Sequence, residues 1–247
     1  MVLVRSLLFF ASLIVTTVLF GLLLVLLRFI IPSHWVGAIA GAWGITNLQL
    51  LKWICGLDYQ LIGRENIPQQ NVIVLCKHQS AWETIALRWL LPFNQSWVLK
   101  QELMRVPIFG WALAADKVIA IDRKAGRKAV RQVIEQGIQR LQQGRNVIIF
   151  PEGTRVAPGE RKKYGIGGAL LAVKSGYPIL PIAHNAGLFW RRRSLRKYPG
   201  TIQMVIGPLI SPDGQSATEI NHRVEDWIET KVAELGAGRE KPESDIT

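Results

Sequence analysis

Val72-Ile-Val-Leu-Cys-Lys-His-Gln-Ser-Ala-Trp-Glu83 is the stretch on which the fold turns. Its apolar, largely β-branched run, 72–76, reads as a buried strand, stopped by Lys77 and His78, and Ser80 then opens a segment with helical apolar spacing. A strand passed through a short polar loop to a helix is the repeating unit of an open α/β sheet. Such sheets hold ligands in the crevice outside the carboxyl ends of their strands, so His78 is delivered to a place where chemistry can be done.

The pattern continues on both sides. Apolar runs at 59–62, 96–99, 118–121, 146–150, 178–182 and 202–206 alternate with helical stretches at 81–91, 125–143, 167–175 and 217–235. This predicts a single, mainly parallel sheet flanked by helices. Within 125–143, Ala129, Val130, Val133, Ile134, Ile138 and Leu141 form an apolar stripe, Arg127, Lys128 and Arg131 lie on the other side, and Gly144 caps the end. The chain divides into N-terminal hydrophobic helices (1–57), an α/β domain (58–212), and a C-terminal helix with an acidic tail expected to be disordered (213–247).

Charge follows the same division. The net +12 is made of +3 in 1–57, +14 in 58–212 and −5 in 213–247. A basic body calls for anionic partners, whether a phospholipid surface, a phosphorylated substrate or nucleic acid. Cys55 and Cys76 sit in apolar runs, as buried thiols of a reducing compartment do, and suggest neither a disulfide framework nor a metal site.

Leu7 to Leu27 is a run of 21 uncharged residues, long enough to cross a hydrocarbon core of ~30 Å. A signal peptide is the competing reading, with Arg5 as its basic start and Ala38-Ile-Ala40 as a cleavage site. The apolar run is too long for that and the cut would fall too late, which favours a retained anchor. A second apolar segment, 35–57, is interrupted by Gly37, Gly41 and Gly44. It forms either the return arm of a hairpin or an interfacial helix, and Gly37-x-x-x-Gly41 permits close packing against another helix. The basic body is expected on the cytoplasmic side of a bacterial-type inner membrane, against its anionic surface.

His78 and Glu83 would diverge on one helix, so they meet only if His78 lies in the loop before a helix capped by Ser80. Glu83 then has two readings. It completes a capping box with Ser80, or it holds the imidazole by Nδ1–H and stabilises the imidazolium formed when Nε2 takes a proton. A second loop bears on the choice. Asn146-Val-Ile-Ile-Phe-Pro-Glu-Gly-Thr-Arg155 runs a strand into a turn where Gly153 allows close backbone approach and Arg155 offers a planar fork to phosphate.

A histidine with four residues between it and an acid, followed downstream by Phe-Pro-Glu-Gly-Thr-Arg, resembles the glycerolipid acyltransferase family, specifically the 1-acyl-glycerol-3-phosphate (lysophosphatidic acid) acyltransferases. The resemblance spans roughly 53–208. The family's His-x-x-x-x-Asp falls on His78 and Glu83, its Ile-Asp-Arg block on Ile121-Asp122-Arg123, and its apolar block around a proline on Ile179-Leu-Pro-Ile182. Glu stands where the commoner pattern has Asp, so its extra methylene must be absorbed by backbone or rotamer.

The resemblance implies that His78 is the base and Glu83 its partner. It also implies that Lys100, Arg123 and Arg155 bind the substrate phosphate and that Glu152, Gly153 and Thr154 meet the glycerol. The acceptor would be lysophosphatidic acid, the donor acyl-CoA or an acyl carrier protein, and the product phosphatidic acid. No metal or cofactor is implied. Another lysolipid acceptor, such as a lyso-ornithine lipid or lysophosphatidylglycerol, is the near alternative, and a membrane-tethered anionic-lipid-binding protein the distant one. Nucleic acid is disfavoured by the anchor. The basic loop 191–197, preceded by Phe189 and Trp190, suits anionic headgroups or a phosphate-rich or acidic acyl carrier. His184, His34 and His222 read as structural or surface histidines.

Overall fold

A computed structural model describes residues 1–27, 29–91 and 94–237. The expected disordered tail falls largely on 238–247 and lies outside the described residues, as does the side chain of His34.

Seven strands form one sheet: β1 (Leu57–Ile62), β2 (Ile73–Cys76), β3 (Gln95–Lys100), β4 (Ile119–Ile121), β5 (Asn146–Ile149), β6 (Ile179–His184) and β7 (Gly200–Ile206). Their order is β1-β7-β6-β2-β5-β3-β4. Every pairing is parallel except β6 with β7, so the sheet is mixed. Residues 185–199, between β6 and β7, contain only a short 3₁₀ turn, too little for the crossover helix a parallel return needs, and the chain therefore doubles back.

Alternation along β2 sorts its side chains into two layers. Val74 and Cys76 join Leu48, Leu51, Trp82 and Leu87 on one face, whereas Ile73 and Leu75 join Val133, Leu171, Ile220 and Val224 on the other. The first face is covered by α2 (Ser33–Cys55) and α3 (Trp82–Leu90), the second by α5 (Arg127–Gln142), α6 (Gly167–Ser175) and α7 (Ala217–Gly236). The β2–α3–β3 crossover moves toward β4 on the first face. The connections through α5 and α6 move the opposite way on the second face, as a constant crossover hand requires. The direction reverses between β2 and β5, which opens the crevice at their carboxyl ends.

Helix α1 (Val2–Leu27) is, among the described residues, the one helix long and apolar enough to cross a membrane. It packs on α2 and on the short helix α4 (Phe109–Ala115), and Leu8, Val15, Leu19 and Leu26 remain exposed. Polar side chains lock the hairpin: Thr16 Oγ1 lies 2.9 Å from Oδ1 of the buried Asn47, and the Trp43 indole donates to Thr17. The glycines of α2 turn elsewhere. A Cβ on Gly41 would stand 3.3 Å from the Arg88 carbonyl, and one on Gly44 2.9 Å from that of Ile85. The small-residue spacing is therefore used to press α2 onto α3, seating the hairpin on the globular core.

Candidate active site

His78 lies in the loop just after β2, and Glu83 lies in the first turn of α3. Their approach is direct: Nδ1 is 2.8 Å from Glu83 Oε1. The same oxygen accepts the backbone amides of Gln79 (2.9 Å) and Ser80 (2.8 Å). Glu83 thus both ties down the loop amides and orients the imidazole, but the capping box expected with Ser80 as N-cap does not form, because the N-cap is Ala81 and makes no side-chain cap bond. Helix α3 starts one residue later than expected, with Ala81 at the N-cap and the Ser80 hydroxyl accepting the Trp82 amide at 3.2 Å.

Glu83 is fully buried. Burial opposes its charge, but the His184 and His78 imidazoles and the Ser80 amide outweigh that cost and hold the carboxyl below its ordinary value. The outer face of His78 is shaped by Phe150, whose ring stacks on the imidazole at 4.0 Å and 13°. With Nδ1 engaged by a carboxylate, Nε2 is left as the basic nitrogen.

The loop after β5 locks onto the His78 loop. The Val156 amide donates to the His78 carbonyl at 2.8 Å, and the His78 amide donates to Glu152 Oε1 at 3.2 Å. Gly153 takes φ +67 at this turn, and its carbonyl accepts the Arg123 guanidinium. Together these loops bound a cleft of about 530 Å³ whose lining includes His78, Lys100, Arg123, Thr154 and Arg155, with Arg192 and Arg193 from the basic loop. The expected phosphate ligands therefore converge. Past Trp43, Arg88, Phe109 and Leu113 the cleft adjoins a small apolar pocket of about 80 Å³ against α1.

Glu152 does not face this cleft. Only 2% exposed, it turns inward, with Oε1 3.4 Å from Lys77 Nζ, and burial pushes it up to about 7 against the pull of that ammonium. Gly153 contributes its carbonyl to Arg123, and Thr154 alone of the expected glycerol trio lines the cleft.

Three residues behind the site escaped sequence reasoning. Lys77 is fully buried and bonded to Glu229 of α7 at 2.5 Å, and Tyr164 donates to the same oxygen at 2.8 Å. Position alone could have flagged Lys77, which precedes His78, whereas Glu229 looks like any surface acid of an amphipathic helix. His184, read as structural, is buried beneath the dyad. Its Nδ1 accepts the Ala186 amide and its Nε2–H donates to the Lys77 carbonyl at 2.9 Å, 3.8 Å from Glu83 Oε2. Burial holds it below its ordinary value.

A histidine base oriented by a buried acid at the mouth of a basic cleft is the equipment of a group-transfer enzyme. A family model described as Acyltransferase matches residues 58–185, and the chain belongs to that family. Over 197 residues it is 46% identical to the 1-acyl-sn-glycerol-3-phosphate acyltransferase of Pseudomonas aeruginosa, covering 78% of this chain and 76% of that protein. It is 30% identical to the enzyme of the same name from Helicobacter pylori over 74% of this chain and 78% of that one. The crystal structure of the 1-acyl-sn-glycerophosphate (LPA) acyltransferase PlsC from Thermotoga maritima superposes with a TM-score of 0.80. The two share 25% identity, with 97% of this chain and 98% of that one covered.

Proposed function

We propose that this chain transfers the acyl group of a thioester to the 2-hydroxyl of 1-acyl-glycerol-3-phosphate, forming phosphatidic acid. The observation that carries the reading is the 2.8 Å His78–Glu83 contact beside a cleft that holds Lys100, Arg123 and Arg155. The three cations seat the phosphomonoester, which presents the glycerol hydroxyl to Nε2 of His78. As the hydroxyl oxygen attacks the thioester carbonyl, its proton passes to Nε2, and Glu83 stabilises the imidazolium. Collapse of the tetrahedral adduct expels the thiolate, which recovers the proton from His78. The donor is acyl-CoA or an acyl carrier protein.

The reading places the enzyme at a membrane, supported by α1, which packs on α2 and α4 and leaves Leu8, Val15, Leu19 and Leu26 exposed. Its outward apolar face, continued beside Ile14 and Val18 by exposed Val106, enters an anionic leaflet, with the cleft on the cytoplasmic side. The test of function is thiol release from acyl-CoA and from acyl carrier protein by detergent-solubilised protein. Release that requires the acceptor and disappears in His78→Ala supports the assignment; no release with any lysolipid overturns it.

A further inference from the structure

The cleft holds more positive charge than one acceptor neutralises. A phosphomonoester carries about 1.5 to 2 negative charges near neutral pH, whereas Lys100, Arg123, Arg155, Arg192 and Arg193 all line the cleft. Among the described residues, none of the five forms an ion pair with a carboxylate. Arg88 also reaches the lining, but it is spent on Asp116 and on the Trp97 ring, 4.6 Å away. The Glu102 carboxylate acts on Arg123 from a distance, so one monoester leaves about two of the five cations unanswered, and unanswered cations in a cleft repel one another.

Two of the five belong to one element. Arg192 and Arg193 sit in the loop joining β6 to β7, apart from the strand-end loops that carry the other three. That loop is clamped at both ends. Trp190 packs edge-on against Phe9 at 5.7 Å. Lys197 is buried with its ammonium 4.8 Å from the Trp190 ring and 3.0 and 3.3 Å from the carbonyls of Leu195 and Ser6. Between these anchors Arg193 takes φ +61, a left-handed backbone that residues with a Cβ rarely adopt. Arg192 donates through one Nη to the Arg155 carbonyl at 2.8 Å. A merely solvated loop would have neither the cage around Lys197 nor a guanidinium braced against the phosphate-binding turn.

We propose that Arg192 and Arg193 bind the phosphate of the acyl donor's phosphopantetheine arm. The inference rests on the acyl-transfer reading above. In both candidate donors the thioester terminates a neutral amide chain whose other end is a phosphate, so that phosphate is the one charge the arm offers. A planar guanidinium pair matches it. Donor and acceptor then share the cleft and meet at His78.

The test measures donor binding in the absence of acceptor, so the donor result does not depend on which lysolipid is the substrate. The probes are non-hydrolysable acyl thioethers of phosphopantetheine, of pantetheine, of coenzyme A and of acyl carrier protein, titrated calorimetrically into detergent-solubilised protein, with 1-acyl-glycerol-3-phosphate titrated separately as the control. Wild type should bind the phosphorylated arm about tenfold more tightly than pantetheine, the worth of one charge-assisted contact pair. Arg192→Ala/Arg193→Ala should lose that preference and weaken coenzyme A and carrier-protein donors alike. Arg193→Ala alone, which cannot disturb Arg155 through the Arg192 bond, should lose part of it. Arg131→Ala, exposed on α5, should keep it.

A wild type without the preference overturns the proposal. So does a double variant that retains the preference, or one that instead weakens 1-acyl-glycerol-3-phosphate. Loss confined to the carrier protein, with the free arm bound as before, would assign the loop to a protein surface and also overturn it. If the donor results hold but no lysophosphatidate is acylated, the acceptor assignment fails alone.

Discussion

The Lys77 ammonium, shut away from solvent, is 2.5 Å from Oε1 of Glu229, so the residue preceding the histidine base is tied to the last helix of the chain. Removing the acid would leave the buried cation with only the 3.4 Å contact to Glu152. Glu229→Ala should cost roughly 3–5 kcal/mol of stability, read as a shifted denaturation midpoint. Glu229→Gln, which still accepts from Tyr164, should cost less.

The raised Glu152 makes stability depend on pH. Between the ordinary glutamate value of 4.5 and about 7 the folded chain retains a proton that the unfolded chain releases. Stability should therefore fall as pH rises through that window, by about 3 kcal/mol in total. Midpoints measured from pH 4.5 to 7.5 should show the decline, and Glu152→Gln should flatten it.

Glu83 combines two roles that substitutions can separate. Glu83→Gln keeps an oxygen for the Gln79 and Ser80 amides but supplies no charge to the imidazolium. It should leave folding near normal and lower kcat by about 10³-fold. Glu83→Asp keeps the charge and withdraws it by a methylene; a fall in kcat of about tenfold is expected in the same steady-state assay.

Lys100→Ala and Arg155→Ala should act mainly on the acceptor. Each should raise KM for 1-acyl-glycerol-3-phosphate by about ten- to a hundredfold with a smaller change in kcat, whereas His78→Ala abolishes turnover at unchanged acceptor binding. A kcat collapse without a KM change in the two cation variants would remove them from phosphate binding.

Gly44 tests how the hairpin is seated. A Cβ there meets the Ile85 carbonyl at 2.9 Å and Arg88 Cβ at 3.1 Å, so Gly44→Ala should separate α2 from α3 and cost about 1–3 kcal/mol. Gly144→Ala, where nothing lies within 4 Å but φ is +76, should cost less, about 1 kcal/mol. Thermal midpoints of the two variants make the comparison.

How much of this was legible depends on the range of the interaction involved. All seven strands fall where the apolar runs do, since short β-branched segments between polar turns carry their signal locally. The His78–Glu83 contact was legible for the same reason, being five residues long. The reversed direction of β7 was not, because only the missing crossover helix in 185–199 encodes it. Helix α4 has seven residues, too few to show a period, and is held by α1. The inward turn of Glu152 depends on Lys77 and Glu229, which lie far from it in sequence and meet only once α7 has docked.

Leu57 pairs with Gly200 at the start of the β1–β7 ladder, roughly 140 residues later in the chain. During synthesis at ~5–20 residues per second, that separation amounts to about 7–30 s. The hairpin of α1 and α2, and the α3 helix on which it is seated, therefore leave the ribosome well before β7, the sheet neighbour of β1, exists. The apolar face of α1, which carries exposed Leu8, Val15, Leu19 and Leu26, is therefore made long before the sheet that carries the catalytic loops is complete.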